Sequence, residues 1–263
     1  MQHQVKKETT NDNSHVKKLI GVISGKGGVG KSYTTGMLAL SLSRLGYEVG
    51  VLDADITGPS IPHMFNIKEK AYGDKTSIYP YIVDGLGIKV ISSAMLLDDN
   101  EDPLIWRGLL IGDLIKQFYN TVNWGELDYL LVDFAPGTSD VAITAMQSLP
   151  LDGLVIVTTP QDMVGTIVKK AINMAKKLNV PLLGAVNNMS YMECPGCGEK
   201  IYIYGESSQA HIEEKLGIPL LGEARLIPQN VKSLDKGQFG DVDIEDFIKI
   251  AINIAKSEDK KDE

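Results

Sequence analysis

Cysteine is scarce in this chain, which has two in 263 residues, Cys194 and Cys197. Two cysteines three positions apart are poor candidates for a disulfide that staples a fold. In a reducing compartment, such a pair more often binds a metal or does redox work. The sequence therefore disfavours a disulfide-stabilised domain and directs attention to the pair itself.

Long apolar runs and an excess of positive charge are also lacking. No stretch reaches the roughly 18 consecutive apolar residues that a membrane span requires. The polar N-terminal residues contain no apolar signal-peptide core. The formal net charge of −8 disfavours a nucleic-acid surface, because phosphate binding needs clustered Lys and Arg. We expect a cytoplasmic protein with neither a membrane nor a nucleic-acid partner.

The chain does have enough apolar residues, 43%, for a substantial core. Short β-branched runs alternate with amphipathic helical patterns, which predicts an α/β fold with a mostly parallel sheet and helices on both faces. We expect a disordered leader over residues 1–17, a single domain over 18–255 and a charged tail over 256–263. The predicted strands cover 19–24, 47–52, 87–92, 129–132, 154–158, 182–186 and 220–222, and predicted helices cover 32–45, 164–178 and 243–255.

A glycine-rich loop follows the first predicted strand and leads into the first predicted helix. It reads Gly25-Lys26-Gly27-Gly28-Val29-Gly30-Lys31-Ser32. The spacing G-x-x-x-x-G-K-S in this context is typical of a P-loop, in which backbone N–H groups surround phosphates. Lys31 supplies a charge to the outer phosphates, Ser32 a ligand to Mg²⁺, and the helix N-terminus a partial positive charge. The sequence therefore predicts ATP and Mg²⁺ binding.

Carboxylates at the ends of two predicted strands extend this site. Asp133 follows the strand over 129–132, where a P-loop enzyme needs an acid that holds Mg²⁺ through water. Asp53 and Asp55 follow the second strand, at the sheet edge where open α/β folds bind ligands. The alternative for a single strand-end Asp is a helix cap or a turn residue.

The loop also contains a second lysine, Lys26. With it, residues 25–32 resemble the deviant Walker A loop of the group that contains the Min and Par ATPases and the nitrogenase iron protein. In that group the extra lysine reaches across a nucleotide-sandwich dimer to the partner's phosphates. Such a cation acts where negative charge develops during phosphoryl transfer. The resemblance thus implies a homodimer.

Further segments resemble the Mrp/ApbC family of iron–sulfur carrier ATPases, and the resemblance covers roughly residues 18–255. They are Asp53-Ala54-Asp55-Ile56-Thr57-Gly58-Pro59-Ser60-Ile61-Pro62, Ile105-Trp106-Arg107-Gly108, Asp133-Phe134-Ala135-Pro136-Gly137-Thr138-Ser139-Asp140, Asn187-Asn188-Met189-Ser190-Tyr191 and Cys194-Pro195-Gly196-Cys197-Gly198.

This resemblance implies roles for individual residues. Asp55 would orient the attacking water, Asp53 and Asp133 would serve the Mg²⁺ shell, and Asn188 would recognise adenine. The chain departs from the family at Tyr33. In the family, this position normally has a small hydroxyl residue, which contacts the α-phosphate. In the segment that begins at Asp133, Phe134-Ala135 also replaces the pair of residues that is commoner in the family. A further departure is Arg225, near the place of a proline that borders the adenine.

The cysteine pair forms a tight knuckle that can hold one side of a metal centre. Zinc and iron–sulfur clusters normally take four protein ligands, and the chain has no further cysteine. The missing ligands are most simply supplied by a second subunit. This agrees with the family, in which a 4Fe–4S cluster bridges the dimer at this motif. A bridging zinc and a redox dithiol remain open, because C-x-x-C does not choose its metal.

The resulting prediction is an ATPase that carries an iron–sulfur cluster as a homodimer and transfers it to apoproteins. One alternative is a positioning ATPase like the Min and Par proteins, which bind membrane or DNA. Another is a nucleotide-dependent reductase component like the nitrogenase iron protein, although the ligand cysteines of that protein lie far apart in sequence.

Overall fold

The computed structural model describes residues 7–56, 58–74, 77–96, 109–137, 140–161, 166–206 and 208–259. Within them the strands are β1 (Ser14–Ser24), β2 (Val49–Ala54), β3 (Tyr72–Gly73), β4 (Ile78–Tyr79), β5 (Tyr81–Ile82), β6 (Lys89–Ser92), β7 (Gly125–Phe134), β8 (Gly153–Thr158), β9 (Leu182–Asn187), β10 (Met192–Glu193), β11 (Lys200–Ile201) and β12 (Leu220–Glu223). The α-helices are α1 (Lys31–Arg44), α2 (Ile61–Met64), α3 (Leu109–Asn120), α4 (Asp140–Ser148), α5 (Thr166–Lys177), α6 (Gln209–Leu216), α7 (Pro228–Asp235) and α8 (Glu245–Asp259).

An eight-stranded sheet in the order β12-β9-β8-β1-β7-β2-β6-β5 forms the centre of the molecule. Its strand pairs are parallel except β5 with β6. One apolar cluster lies under α3, α4, α5 and α6, and a second lies under α1, α2, α7 and α8. The central strands β2 and β8 are fully buried, as expected for a sheet covered on both faces. The predicted α/β architecture is confirmed.

The leader prediction is wrong for residues 14–17, because β1 begins at Ser14 and pairs with β7 from that residue onward. The side chains there alternate between half-buried and exposed. Backbone pairing rather than apolar content therefore defines this part of the strand. Before it, the ammonium of Lys7 donates to the carbonyl oxygens of Met146 and Leu149, at 3.2 and 2.8 Å, at the end of α4.

The predicted tail also differs from the structure. Helix α8 continues to Asp259, so residues 256–259 are helical, and residues 260–263 lie outside the described part. The apolar side of α8 explains its position: Phe247, Ile250 and Ile254 are buried in the second cluster. The helix thus covers one face of the sheet.

Parallel strands place their carboxyl ends at one edge of the sheet. Here that edge brings together Ser24, Asp53, Asp133, Thr158 and Asn187. In β2 and β7, Asp53 and Asp133 are register partners on neighbouring strands. The predicted nucleotide-site residues lie at these strand ends, in the loops that follow them and at the start of α1.

Candidate functional site

The glycine loop joins β1 to α1 in a conformation that depends on its glycines. Gly28 and Gly30 have φ angles of 84° and 77°, which side chains with a Cβ rarely adopt. A Cβ on Gly30 would also collide with the amide of Asn188. A Cβ on Gly27 or Gly28 would meet no atom within 4 Å, so the space beside the loop is open. The loop therefore requires its glycines and is accessible to a ligand.

The buried carboxylate of Asp133 contacts three side chains of α1, one through an ion pair and two through hydrogen bonds. Its Oδ2 lies 2.7 Å from the ammonium of Lys31 and accepts a hydrogen bond of 2.6 Å from the Ser32 hydroxyl. Its Oδ1 accepts a bond of 2.7 Å from Thr35. The structure therefore joins Lys31, Ser32 and Asp133, as the sequence predicts. Thr35 was not predicted, although its position four residues after Lys31 places both on one helix face.

Asp53 lies beside Asp133 and is fully buried. Its Oδ2 accepts a hydrogen bond of 3.1 Å from the hydroxyl of Ser92, and its Oδ1 accepts one of 3.1 Å from the N–H of Asp55. Burial, and secondly the charge of Asp133, raises the pKa of Asp53 to about 7. Two adjacent carboxylates and the Ser32 hydroxyl are oxygen ligands of the kind that Mg²⁺ prefers. These residues fit a site for the metal that accompanies ATP.

Asp55 and Lys26 border the same edge. Asp55 is buried, and its Oδ1 accepts a hydrogen bond of 3.2 Å from the N–H of Gly58. Lys26 is exposed, and its carbonyl oxygen accepts a bond of 2.9 Å from Ser24. Residue 57, which belongs to the segment after β2, and the Trp106-Arg107-Gly108 segment lie outside the described residues.

Asn188 lies against the glycine loop. It is buried, and its amide donates to the carbonyl oxygen of Val29 at 2.9 Å. This contact braces the loop from the end of β9. The role in adenine recognition stays a prediction.

Tyr33 extends from α1 towards α7 and α8. Its hydroxyl accepts a hydrogen bond of 3.2 Å from Asn230, and its ring meets that of Phe247 edge-on at 6.0 Å. Burial is the main cause that raises the pKa of Tyr33. Its aromatic ring thus packs against the helical layer, while a phosphate contact by its backbone stays a prediction.

Arg225 is the centre of an ion-pair cluster that the sequence did not predict. Its guanidinium lies 2.7 Å from Asp246, 3.3 Å from Asp243, 3.6 Å from Glu193 and 3.7 Å from Glu245. The hydrogen bond to Asp246 is the main cause that raises its pKa. The cluster links Glu193, just before the cysteines, to the start of α8. No local pattern indicates it, because its acids come from two distant segments.

The cysteines lie in the turn of a short hairpin formed by β10 and β11, residues 192–201. The N–H of Cys194 donates to the carbonyl of Glu199 at 2.9 Å, and Gly198, with φ 75°, returns a bond of 2.8 Å to the carbonyl of Cys194. Cys194 is half-buried and Cys197 exposed, and both are free thiols. The N–H of Gly196 is the main cause that lowers the pKa of Cys194. Backbone N–H groups stabilise the thiolate, which is the form that binds metals.

The hairpin does not contain a complete metal site. Among the residues that the structure describes, no three His, Cys, Asp or Glu side chains lie close enough together to hold a metal ion. A wide cavity of about 540 Å³ adjoins the hairpin, bounded by Cys194, Pro195, Arg225 and Gln229 among others. One chain therefore offers two thiolates and space beside them.

The loop, the lysine and serine that follow it and the acid on the neighbouring strand define a P-loop NTPase. The family described as "ParA: NUBPL iron-transfer P-loop NTPase" matches residues 15–256. The chain belongs to this family.

Individual relatives agree with this assignment. The iron–sulfur cluster carrier protein of Clostridium perfringens is 48% identical over an alignment of 232 residues, and the match covers 85% of this chain and 81% of the relative. A nucleotide-binding protein of Archaeoglobus fulgidus, solved in complex with ADP, superposes with a TM-score of 0.75 at 41% identity and covers 86% of this chain and 88% of its own.

The cell division ATPase MinD of Pyrococcus furiosus superposes with a TM-score of 0.69 at 20% identity, covering 91% of this chain and 99% of its own. At that identity the similarity shows the shared fold alone. In the described part of the chain, no helix has the length and apolar character that a bilayer crossing demands.

Proposed function

We propose that this protein is an ATP-hydrolysing carrier of iron–sulfur clusters. Two copies would hold one 4Fe–4S cluster as cargo between their cysteine pairs and pass it to apoproteins in the cytoplasm. The observation that carries the proposal is the pairing of a complete phosphate site with half a metal site. The name of the Clostridium relative, a cluster carrier, supports the same activity.

The phosphate site accounts for the ATPase part. The glycine loop would surround the phosphates, and Lys31 would exchange its contact with Asp133 for a contact with the outer phosphates. Ser32, Asp53 and Asp133 would hold Mg²⁺, which neutralises charge on the phosphates during transfer. Asp55 would orient the attacking water, and Lys26 of a second copy would reach the phosphates from the exposed side of the loop.

The hairpin accounts for the carrier part. Its exposed Cys197 and half-buried Cys194 leave any bound cluster close to solvent, where an acceptor protein can reach it. Cys194 lies only six positions after Asn188, and Asn188 contacts the glycine loop. A change at the nucleotide can therefore reach the cysteines through a short, hydrogen-bonded path.

The positioning alternative has no observation in its favour. A membrane-binding helix needs an uncovered apolar face and basic residues on its polar side. Helix α8 buries Phe247, Ile250 and Ile254 in the core, and it begins with Glu245 and Asp246.

Anaerobic reconstitution tests the carrier proposal. Wild type, Cys194→Ala and Cys197→Ser are supplied with iron and sulfide, and iron, sulfide, zinc and molecular mass are then measured. We expect about four irons per wild-type dimer and loss of the cluster in both variants, since four thiolates complete a cluster. Transfer to an apo-ferredoxin should follow the same order. A wild type that takes up only zinc, or iron that both variants retain, contradicts the proposal.

The ATPase roles need a separate experiment. Asp55→Asn should bind Mg·ATP as the wild type does while hydrolysis falls by roughly 10²-fold or more, because a water-positioning group acts mainly in the transition state. Lys26→Ala should show a similar loss of hydrolysis. Equal turnover by all three proteins would contradict both roles.

A further inference from the structure

An apolar run directly follows the cysteine hairpin. Ile201, Tyr202, Ile203 and Tyr204 are 43%, 37%, 48% and 42% exposed, and they are consecutive. Single exposed apolar residues are ordinary on a protein surface, whereas a contiguous group marks an interaction site. The run is therefore a candidate interaction surface.

The run is fixed to the hairpin. Ile201 pairs with Met192 across β10 and β11. The ring of Tyr202 lies 5.8 Å from that of Tyr191, and the ammonium of Lys200 stands 4.3 Å above the Tyr191 ring. These contacts hold the start of the run against the segment that leads to the cysteines. Whatever meets Cys194 and Cys197 therefore also comes close to Ile201 and Tyr202, which begin the run.

The ligand count identifies the occupant. Four thiolates complete an iron–sulfur cluster, and the described part of the chain offers two. Metal–sulfur bonds are about 2.3 Å long, so sharing one cluster brings the two hairpins close together. A second copy brings the same run to the same place, and a two-fold axis makes such a contact self-complementary.

We propose that residues 201–204 pack against the same residues of a second copy around the shared cluster. The proposal rests on the proposed function and adds the surface that holds the two copies together there. This apolar contact covers the cluster-binding thiolates from the side of β11 and limits the access of water to them.

The size of the run sets the strength of this contact. Four partly exposed side chains present roughly 300–400 Å², given that a whole aromatic side chain buries 150–250 Å². A standard interface buries about 800 Å² on each partner. The run alone is too small for a stable dimer, so this contact forms when the cluster joins the hairpins. Dimerisation through the hairpin is therefore linked to cluster loading.

The test compares Ile203→Glu with Ile82→Glu. Ile82 is also an isoleucine and is 56% exposed, so it resembles Ile203 in type and exposure. It lies on β5, at the opposite edge of the sheet from β12. Reconstituted proteins are followed by sedimentation through a dilution series, and iron release to a chelator is timed. Ile203→Glu should raise the dissociation constant of the loaded dimer and its iron-release rate by roughly 10-fold or more, since it brings two like charges together. Ile82→Glu should match the wild type.

Further measurements separate the outcomes. Far-UV circular dichroism and Mg·ATP binding check the fold of each variant, and Tyr204→Glu repeats the test if Ile203→Glu is unfolded. An unchanged dissociation constant in a folded variant overturns the inference about residues 201–204. The proposed function is still supported in that case if the cluster depends on the cysteines. Slower transfer to apo-ferredoxin with an unchanged dimer also overturns it, because the run then meets recipients. A wild type without a cluster overturns both proposals.

Discussion

Two regions differ in how much of each site one chain provides. One is the phosphate edge, formed by residues 25–32 with Asp53 and Asp133, and the other is the cysteine hairpin, residues 192–201. At the phosphate edge, Asp133 is fully buried and holds three side chains of α1 within 2.7 Å. In the hairpin, each strand has two residues, and Cys197 is exposed. Under the proposed function, the site that repeats the same chemistry is built into the sheet, while the site that hands over its cargo is placed outside it.

Lys31→Ala should show how far the phosphate edge depends on its central ion pair. Lys31 and Asp133 are 6% and 0% exposed, so the variant leaves a buried carboxylate with hydroxyl donors alone. We expect a loss of about 3–5 kcal/mol in the free energy of unfolding. Affinity for Mg·ATP should fall roughly 100-fold through the loss of a charged hydrogen bond.

Denaturant unfolding and nucleotide titration measure both effects, with Lys177→Ala on the exposed side of α5 as the control. The cysteine-dependent iron content should be unchanged, since no contact of Lys31 reaches the hairpin in the described structure. Loss of iron in Lys31→Ala at full stability would mean that the two regions are not built independently.

Asp53 makes the phosphate edge sensitive to pH. Its pKa is about 7 in the folded protein and near 3.9 in an unfolded chain, so between these values the folded state binds the extra proton. The stabilisation is complete below pH ~4 and is lost as the pH rises towards 7. Without nucleotide or Mg²⁺, the wild type should therefore lose about 2–3 kcal/mol between pH 5 and pH 8 that Asp53→Asn does not lose.

Urea unfolding at a series of pH values provides the measurement, and Asp84→Asn, in an exposed loop, provides the control. Parallel stability curves for wild type and Asp53→Asn would contradict the raised pKa.

The ion-pair cluster at Arg225 connects the hairpin to the start of α8. Arg225→Ala leaves Asp246, 15% exposed, without its partner at 2.7 Å, and it frees Glu193 at the base of the hairpin. We expect a loss of about 1–3 kcal/mol in unfolding free energy and faster amide exchange in residues 192–201. Hydrogen exchange with mass spectrometry locates the effect, and Arg225→Lys should be intermediate because it keeps the charge without the fork. Unchanged exchange in the hairpin would show that Arg225 stabilises α8 alone.

Sequence predicted the phosphate edge better than the hairpin, for a physical reason. The glycine loop, Lys31, Ser32 and Asp133 follow from a local pattern placed between a strand and a helix, and the sheet then brings them together. The contacts of Thr35 with Asp133 and of Ser92 with Asp53 could not be predicted, because they depend on the helix face and on the strand register, which the structure provides. The partners of Arg225 lie up to 32 residues away from it, and no periodicity connects them. The start of β1 was missed because backbone pairing, not apolar content, defines it.

The smallest expected effect concerns the chemistry of Cys194. Hydrogen bonds from the N–H groups of Gly196 and Cys197 lower the pKa of this thiol, so its thiolate persists to lower pH than that of an ordinary cysteine. In Cys197→Ser, a single thiol remains and its absorbance at ~240 nm can be titrated alone. The midpoint should lie below ~8.5 in the folded variant and return to it in urea. Equal midpoints in both states would show that the turn does not prepare Cys194 for a metal, and ligand count alone would then distinguish the hairpin from the phosphate edge.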